Sequence, residues 1–147
     1  MGVSLGAVFA PSAARAMVAA GVPPIAIVLA NGGADLTMLA KRNLRRIWSV
    51  WRPPAAWAIA ALLRRLEPAR HLPHLQGGLL LIHATADPFI PAKSAALMDR
   101  LTPEPKTVVT LSGGHILPGD PTVLDALSTA ARQWLASRGA VNGSTSA

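Results

Sequence analysis

Three short runs of apolar and β-branched residues constrain the fold of this chain more than any other feature. They cover residues 25–29, 79–83 and 107–111, and the segments between them repeat apolar residues at helical spacing. A strand buried on both faces reads as a continuous apolar run, and strands that alternate with helices form a parallel sheet. We therefore predict an α/β fold with a short parallel sheet flanked by helices.

The segments before, between and after the runs predict five helices and a polar tail. Asp35 is a candidate N-cap for the second helix, which we expect to stop at Pro53 and Pro54. The third helix should bury one apolar stripe, formed by Ile59, Leu62, Leu63 and Leu66. The predicted helices cover 5–20, 35–52, 55–66, 91–101 and 121–137, and the tail covers 139–147.

Polar residues suited to nucleophilic chemistry follow three of the predicted elements. Ser4 lies in the pattern G-V-S-L-G, and a G-x-S-x-G pattern forms a sharp turn between a strand and a helix. We expect Gly2 to permit the turn and Gly6 to let the helix pack close to the strand. Asp87 follows the second apolar run and His115 follows the third. Because parallel strands end at one edge of the sheet, these side chains should lie together.

Two longer segments make this arrangement resemble the α/β-hydrolases. Residues 81–91 read L-I-H-A-T-A-D-P-F-I-P, which is similar to the L-I-H-G-x-x-D-x-x-V-P segment that carries the acid in that family. Ala84 replaces the usual glycine there. Residues 111–115 read L-S-G-G-H, which is similar to the G-G-H segment that carries the family's histidine. The resemblance covers roughly residues 2–137 and points to the esterase and dienelactone-hydrolase-like branches.

The resemblance implies a serine hydrolase that cleaves an ester or related acyl bond of a small molecule. In such an enzyme Ser4 is the nucleophile, His115 is the general base, and Asp87 orients the imidazole. The backbone N–H of Leu5 would donate to the developing oxyanion. No metal or organic cofactor is implied.

The resemblance also implies a domain organisation. Residues 1–138 would form one partial α/β-hydrolase domain with a helical cap insertion over about 35–70. Within that cap, Trp48 and Trp51 are candidates for the lining of an acyl pocket.

Part of the family's pattern has no counterpart in this sequence. The strands that precede the serine, and the loop that supplies the second oxyanion donor, are missing, so we expect the C-terminal half of the fold only. One alternative is therefore a truncated hydrolase fragment without activity. A sheet opened beside its central strand exposes an unpaired edge, so we also expect an oligomer, poor solubility or a need for the missing N-terminal half.

A basic segment carries most of the positive charge. The formal net charge is +7, and eight of the fourteen Lys and Arg residues lie between residues 41 and 70, opposed only by Glu67. The simplest interpretation is a solvated helix face above buried Trp48, Trp51 and Trp57, and buried tryptophans argue against nucleic-acid binding. The alternative is a basic, Trp-bearing helix that docks on an anionic membrane surface.

Other features narrow the class of protein. The absence of Cys excludes a disulfide scaffold and a cysteine nucleophile, and it is compatible with the cytoplasmic location that we expect. The longest uncharged stretch, residues 16–34, is broken by proline and glycine and does not predict a spanning helix. Asp120 is the alternative supporting carboxylate, although its position before Pro121 is typical of a helix cap. No metal-binding spacing links His71, His74 and His83.

Overall fold

A computed structural model of the chain describes residues 1–44, 49–115 and 121–143. Its four strands form one sheet: β1 (Gly2–Val3), β2 (Ala26–Ala30), β3 (Gly78–Ala84) and β4 (Lys106–Leu111). All neighbouring strands pair in parallel, in the order β1-β2-β3-β4. The predicted α/β fold with a short parallel sheet is therefore confirmed, and β1 lies at an edge of the described sheet.

In the part of the chain that the structure describes, five α-helices surround the sheet. They are α1 (Leu5–Ala19), α2 (Leu36–Asn43), α3 (Arg52–Leu62), α4 (Ala92–Leu101) and α5 (Pro121–Gly143). Three single 3₁₀ turns at Arg64–Leu66, Pro68–Arg70 and Leu72–His74 connect α3 to β3. Among the described segments, no helix is both long and apolar enough to cross a membrane.

The two faces of the sheet bury different helices because side chains alternate along each strand. On one face, Ile27 and Leu29 of β2 pack with α1, α4 and the 3₁₀ turn at 72–74. On the opposite face, Val28 of β2 and Leu80 of β3 pack with Leu127 of α5. The result is a layer of helices on each side of one parallel sheet.

The second and third helices differ from their predicted bounds. Asp35 does cap α2, since its Oδ1 accepts a hydrogen bond of 2.7 Å from the N–H of Met38. The helix nevertheless ends at Asn43, whose side-chain amide donates to the Leu39 carbonyl and so competes with the backbone ladder. Pro53 does not stop a helix but lies in the first turn of α3, where its missing N–H is not needed.

The predicted burial of the third helix is also wrong. Leu62 is 84% exposed and Ile59 is 37% exposed, while Leu63 packs against the neighbouring α1 and α2. Trp51 and Trp57, expected on the buried side, are 63% and 70% exposed. At the other end of the chain, α5 continues to Gly143, past the residue where a polar tail was expected. Arg45, Arg46, Ile47, Trp48 and Asp120 lie outside the described residues.

Candidate active site

Ser4 occupies a strained turn between β1 and α1. Its backbone angles are φ 52° and ψ −115°, a left-handed conformation that non-glycine residues rarely adopt and that costs about 1–3 kcal/mol. The Ser4 N–H donates to the Ala30 carbonyl at 2.9 Å, which extends the pairing of β1 with β2 by one residue. The strand and the helix therefore hold the serine in a conformation that it would not keep alone.

The close approach of strand and helix depends on Gly2 rather than on Gly6. A Cβ atom at Gly2 would lie 2.5 Å from the Gly6 carbonyl oxygen and 2.9 Å from the Ala10 Cβ. A Cβ atom at Gly6 would meet no described atom within 4 Å other than its chain neighbours and the backbone of its own helix turn. The sequence pattern assigned the close packing of strand and helix to Gly6, whereas the structure gives it to Gly2.

The three chemically suited side chains come together in one hydrogen-bonded line. The Ser4 Oγ lies 2.6 Å from His115 Nε2. On the other side of the ring, His115 Nδ1 lies 2.6 Å from Asp87 Oδ2. An ionised Asp87 accepts the Nδ1–H, which leaves the Nε2 lone pair to accept a hydrogen bond from the serine hydroxyl.

Asp87 is held in place by its own loop. Its second oxygen, Oδ1, accepts hydrogen bonds from the N–H groups of Phe89 at 2.8 Å and Ile90 at 3.0 Å. The Asp87 side chain is only 6% exposed and that of His115 is 7% exposed. Water therefore has little access to the bond between them, and a charged hydrogen bond is stronger in such surroundings.

Backbone hydrogen bonds join the loop that carries Asp87 to the loop that carries His115. The Thr85 N–H donates to the Leu111 carbonyl at 3.0 Å, and the Ala86 N–H donates to the Gly113 carbonyl at 2.9 Å. Gly113 has φ +123°, a conformation open to glycine and strained for other residues, so this turn requires a glycine. The two loops thus position carboxylate and imidazole as one unit.

Helix α2 supports the same loop from the other side. Arg42 Nε donates to the Pro88 carbonyl at 2.7 Å, and Asn43 Nδ2 donates to the Phe89 carbonyl at 3.3 Å. Sequence reasoning missed both residues because nothing in their spacing indicates that α2 lies against a loop more than forty positions away.

A small apolar pocket of about 300 Å³ opens beside the serine. Its lining consists of Ser4, Leu5, Val8, Leu39, Asn43, Phe89, Ile90 and His115. The Phe89 ring also meets the His115 imidazole edge to face, with ring centroids 5.0 Å apart. Trp51 is not among the lining residues, and among the described residues of the expected cap region, Leu39 and Asn43 line this pocket.

Two other histidines, His71 and His83, lie outside this line of hydrogen bonds. His71 Nε2 lies 2.8 Å from the Arg65 carbonyl. His83 faces a second cleft of about 920 Å³ between α2, α4, β3 and β4, which Asp87 and Ile90 also line. Burial lowers the pKa of the His83 imidazole, and the negative charge of Asp99 partly opposes that effect. Within residues 1–44, 49–115 and 121–143, no group of three His, Asp or Glu side chains is arranged to hold a metal ion.

Comparison with solved structures identifies the fold. The chain is similar to the esterase domain of a Rhodothermus marinus protein (19% identity, TM-score 0.57, 82% of this chain and 53% of that one). It is similar to an enol-lactonase from Burkholderia xenovorans (15% identity, TM-score 0.59, 92% of this chain and 64% of that one). It is also similar to a thermophilic esterase from Thermogutta terrifontis (21% identity, TM-score 0.60, 92% of this chain and 63% of that one). No protein-family model and no curated protein sequence matches the chain.

The fold is that of the α/β-hydrolases, as the resemblance of the motifs implied. At these identities the likeness shows the fold alone. The chain spans between about half and two thirds of the length of these structures, and the part it spans is their C-terminal part.

Proposed function

We propose that this chain carries the catalytic residues of a serine hydrolase that cleaves an ester or related acyl bond. The observation that supports the proposal most directly is the line of hydrogen bonds from Ser4 through His115 to Asp87, with both distances at 2.6 Å. Nucleophile, base and orienting carboxylate at hydrogen-bond reach are the arrangement that acyl transfer by serine requires.

Each residue has a distinct role in the proposed reaction. His115 Nε2 takes the hydroxyl proton as Ser4 Oγ attacks the acyl carbon, and it then returns that proton to the departing alcohol. The product of this first half is an acyl-serine ester. In the second half, His115 takes a proton from water, the hydroxide attacks the acyl carbon, and Ser4 recovers its proton as the acid leaves. Asp87 stays ionised and stabilises the imidazolium in both halves.

The start of α1 supplies the electrostatic part of the proposal. Leu5 is the first residue of α1. Backbone N–H groups at this end have no partner inside the helix, and the N-terminal end of the helix dipole carries a partial positive charge. An oxyanion formed at Ser4 would lie against this N–H. A hole built from preorganised donors commonly contributes about 10²–10³ in rate for each donor.

The pocket beside Ser4 favours a small acyl or alcohol group of apolar character. Five of its lining side chains are hydrocarbon or aromatic: Leu5, Val8, Leu39, Phe89 and Ile90. Such a pocket selects by shape and apolar contact, because it offers few polar groups to bind a charged substituent.

A fluorophosphonate probe tests the proposal. It should form a covalent adduct on Ser4 in the purified chain, detected by intact mass and peptide mapping. Ser4→Ala should abolish the adduct, while Ser12→Ala should not, since the Ser12 hydroxyl only donates to the Phe9 carbonyl within α1. A folded sample without any adduct on Ser4 would refute the nucleophile assignment and favour the alternative of a chain that is inactive alone.

We extend the proposal to the assembly of the protein. The short β1 leaves one edge of the described sheet without a partner strand, so we expect an oligomer or a second polypeptide segment to pair there. Light scattering of a dilute sample measures this directly, and a monodisperse monomer would contradict it.

A further inference from the structure

The exposed side of α3 is apolar over its whole length. Its outward positions are Pro54, Trp57, Ala58, Ala61 and Leu62, all of them solvent-exposed. Trp57 is 70% exposed and Leu62 is 84% exposed, and Trp51 at the start of the helix is 63% exposed. Large apolar side chains gathered on one surface mark a site of contact with another body, and we call this surface the α3 face.

The opposite side of α3 anchors the helix to the protein. Ala60 and Leu63 pack against the buried cluster of Val8, Leu36 and Leu39, so the α3 face is turned outward on a fixed support. Its exposure therefore follows from the direction in which α3 is packed.

The positive charge of the chain is concentrated in the sequence segment that contains α3. Between Asp35 and Glu67 there are seven Lys and Arg residues and no Asp or Glu. This number equals the formal net charge of +7, because the seven basic residues elsewhere balance the seven acidic ones. Arg64 and Arg65 lie in the 3₁₀ turn that follows α3, and both are exposed. The α3 face is thus an apolar patch in the middle of the only strongly cationic part of the sequence.

We propose that the α3 face docks on an anionic lipid surface. Tryptophan and aliphatic side chains enter the boundary between headgroups and acyl chains, and flanking arginines bind the anionic headgroups. The proposal goes beyond hydrolysis and does not depend on it, since none of these residues belongs to the hydrogen-bonded line at Ser4.

Two other occupants fit this surface less well. A nucleic acid stacks on aromatic rings interleaved with cations, but Ala58, Ala61 and Leu62 would be left facing phosphates. A second copy of the chain would bring two segments of strong positive charge together, and that repulsion opposes association. An anionic bilayer matches both the apolar surface and its charge.

Vesicle co-sedimentation tests the proposal with the intact chain. Binding should be strong to vesicles of phosphatidylcholine mixed with phosphatidylglycerol, weak to phosphatidylcholine alone, and reduced by salt. Trp57→Asp combined with Leu62→Asp should weaken binding by at least about tenfold, because each change removes a large apolar side chain that the bilayer would bury. Leu124→Asp is the matched control, since Leu124 is 52% exposed on α5, and it should bind like the wild type.

Two further variants separate the possible outcomes. Arg64→Gln should weaken binding to the anionic vesicles by about fivefold without perturbing the fold, which circular dichroism verifies. Ser4→Ala should bind vesicles normally, so failure of the hydrolase proposal leaves this one standing. The proposal is overturned if the anionic vesicles do not bind, or if the Trp57 and Leu62 changes leave binding intact. It is equally overturned if those changes alter only the oligomeric mass or the binding of single-stranded RNA.

Discussion

Replacing Gly2 by alanine should damage the fold and the serine turn together. The added Cβ would lie 2.5 Å from the Gly6 carbonyl oxygen and 2.7 Å from its carbonyl carbon. Both atoms belong to the backbone, and no side-chain rotation can move them away. Strand β1 and helix α1 must therefore separate, and overpacking of this kind costs about 1–3 kcal/mol in the free energy of unfolding. For a chain of this size, each kcal/mol lowers Tm by about 2–4 °C.

Gly6→Ala is the matched control for this experiment. The two changes add the same methyl group to neighbouring glycines of one turn, but a Cβ at Gly6 meets no described atom within 4 Å other than its chain neighbours and the backbone of its own helix turn. Because Gly6 lies inside α1, alanine there should stabilise the helix by up to about 1 kcal/mol. The two substitutions should thus move Tm in opposite directions.

Thermal unfolding followed by circular dichroism measures the stability of both variants. The rate of fluorophosphonate labelling at Ser4 measures the turn itself, and it should fall in Gly2→Ala because the strained serine conformation depends on the close approach of β1 and α1. The reasoning is refuted if Gly2→Ala is as stable and as reactive as the wild type. It is also refuted if both alanine variants lose stability to the same extent.

Three further predictions concern the site and its supports. Asp87→Asn should reduce the labelling rate of Ser4 by about 10⁴ with little loss of stability, because the imidazole then adopts the wrong tautomer; a rate within tenfold of the wild type would count against the role of Asp87. Asp35→Ala removes the cap on the Met38 N–H and should lower the free energy of unfolding by about 1 kcal/mol, measured by urea denaturation. Burial lowers the pKa of His83 below its usual 6.5 in the folded chain. As the pH falls, the His83 imidazole is therefore protonated in the unfolded chain before it is protonated in the folded chain. The free energy of unfolding should fall as the pH drops below 6.5 and level off below the folded-state pKa, and His83→Gln should remove this part of the pH dependence.

The sheet and the proximity of Ser4, Asp87 and His115 could be predicted from the sequence because their signals are local. The apolar run at residues 79–83 lies inside β3, and Asp87 and His115 stand in short segments whose pattern is specific. The turn at Ser4 is equally local, since a strand, a serine and a helix follow one another without a gap. Proximity of the three side chains then follows from the parallel direction of the strands alone.

The surroundings of the site could not be predicted in the same way. Helical spacing shows which residues share a side of α3, but it does not show which side the rest of the chain covers, and so Trp57 and Leu62 were assigned to the interior. The supports from Arg42 and Asn43 depend on the packing of α2 against a distant loop, which no local pattern encodes. The end of α2 was missed because the Asn43 side chain donates to the Leu39 carbonyl, and helical spacing of apolar residues carries no signal of such a hydrogen bond.

The hydrogen bond between Ser4 and His115 makes the reactivity of Ser4 a measure of folding over the whole chain. It joins residues that are 111 positions apart, so closing it carries a large entropic cost and can follow only after β1 and β4 have both joined the sheet. During refolding, secondary structure should return before Ser4 regains its reactivity. A serine-directed probe added at successive times would then count molecules in which all four strands are in register.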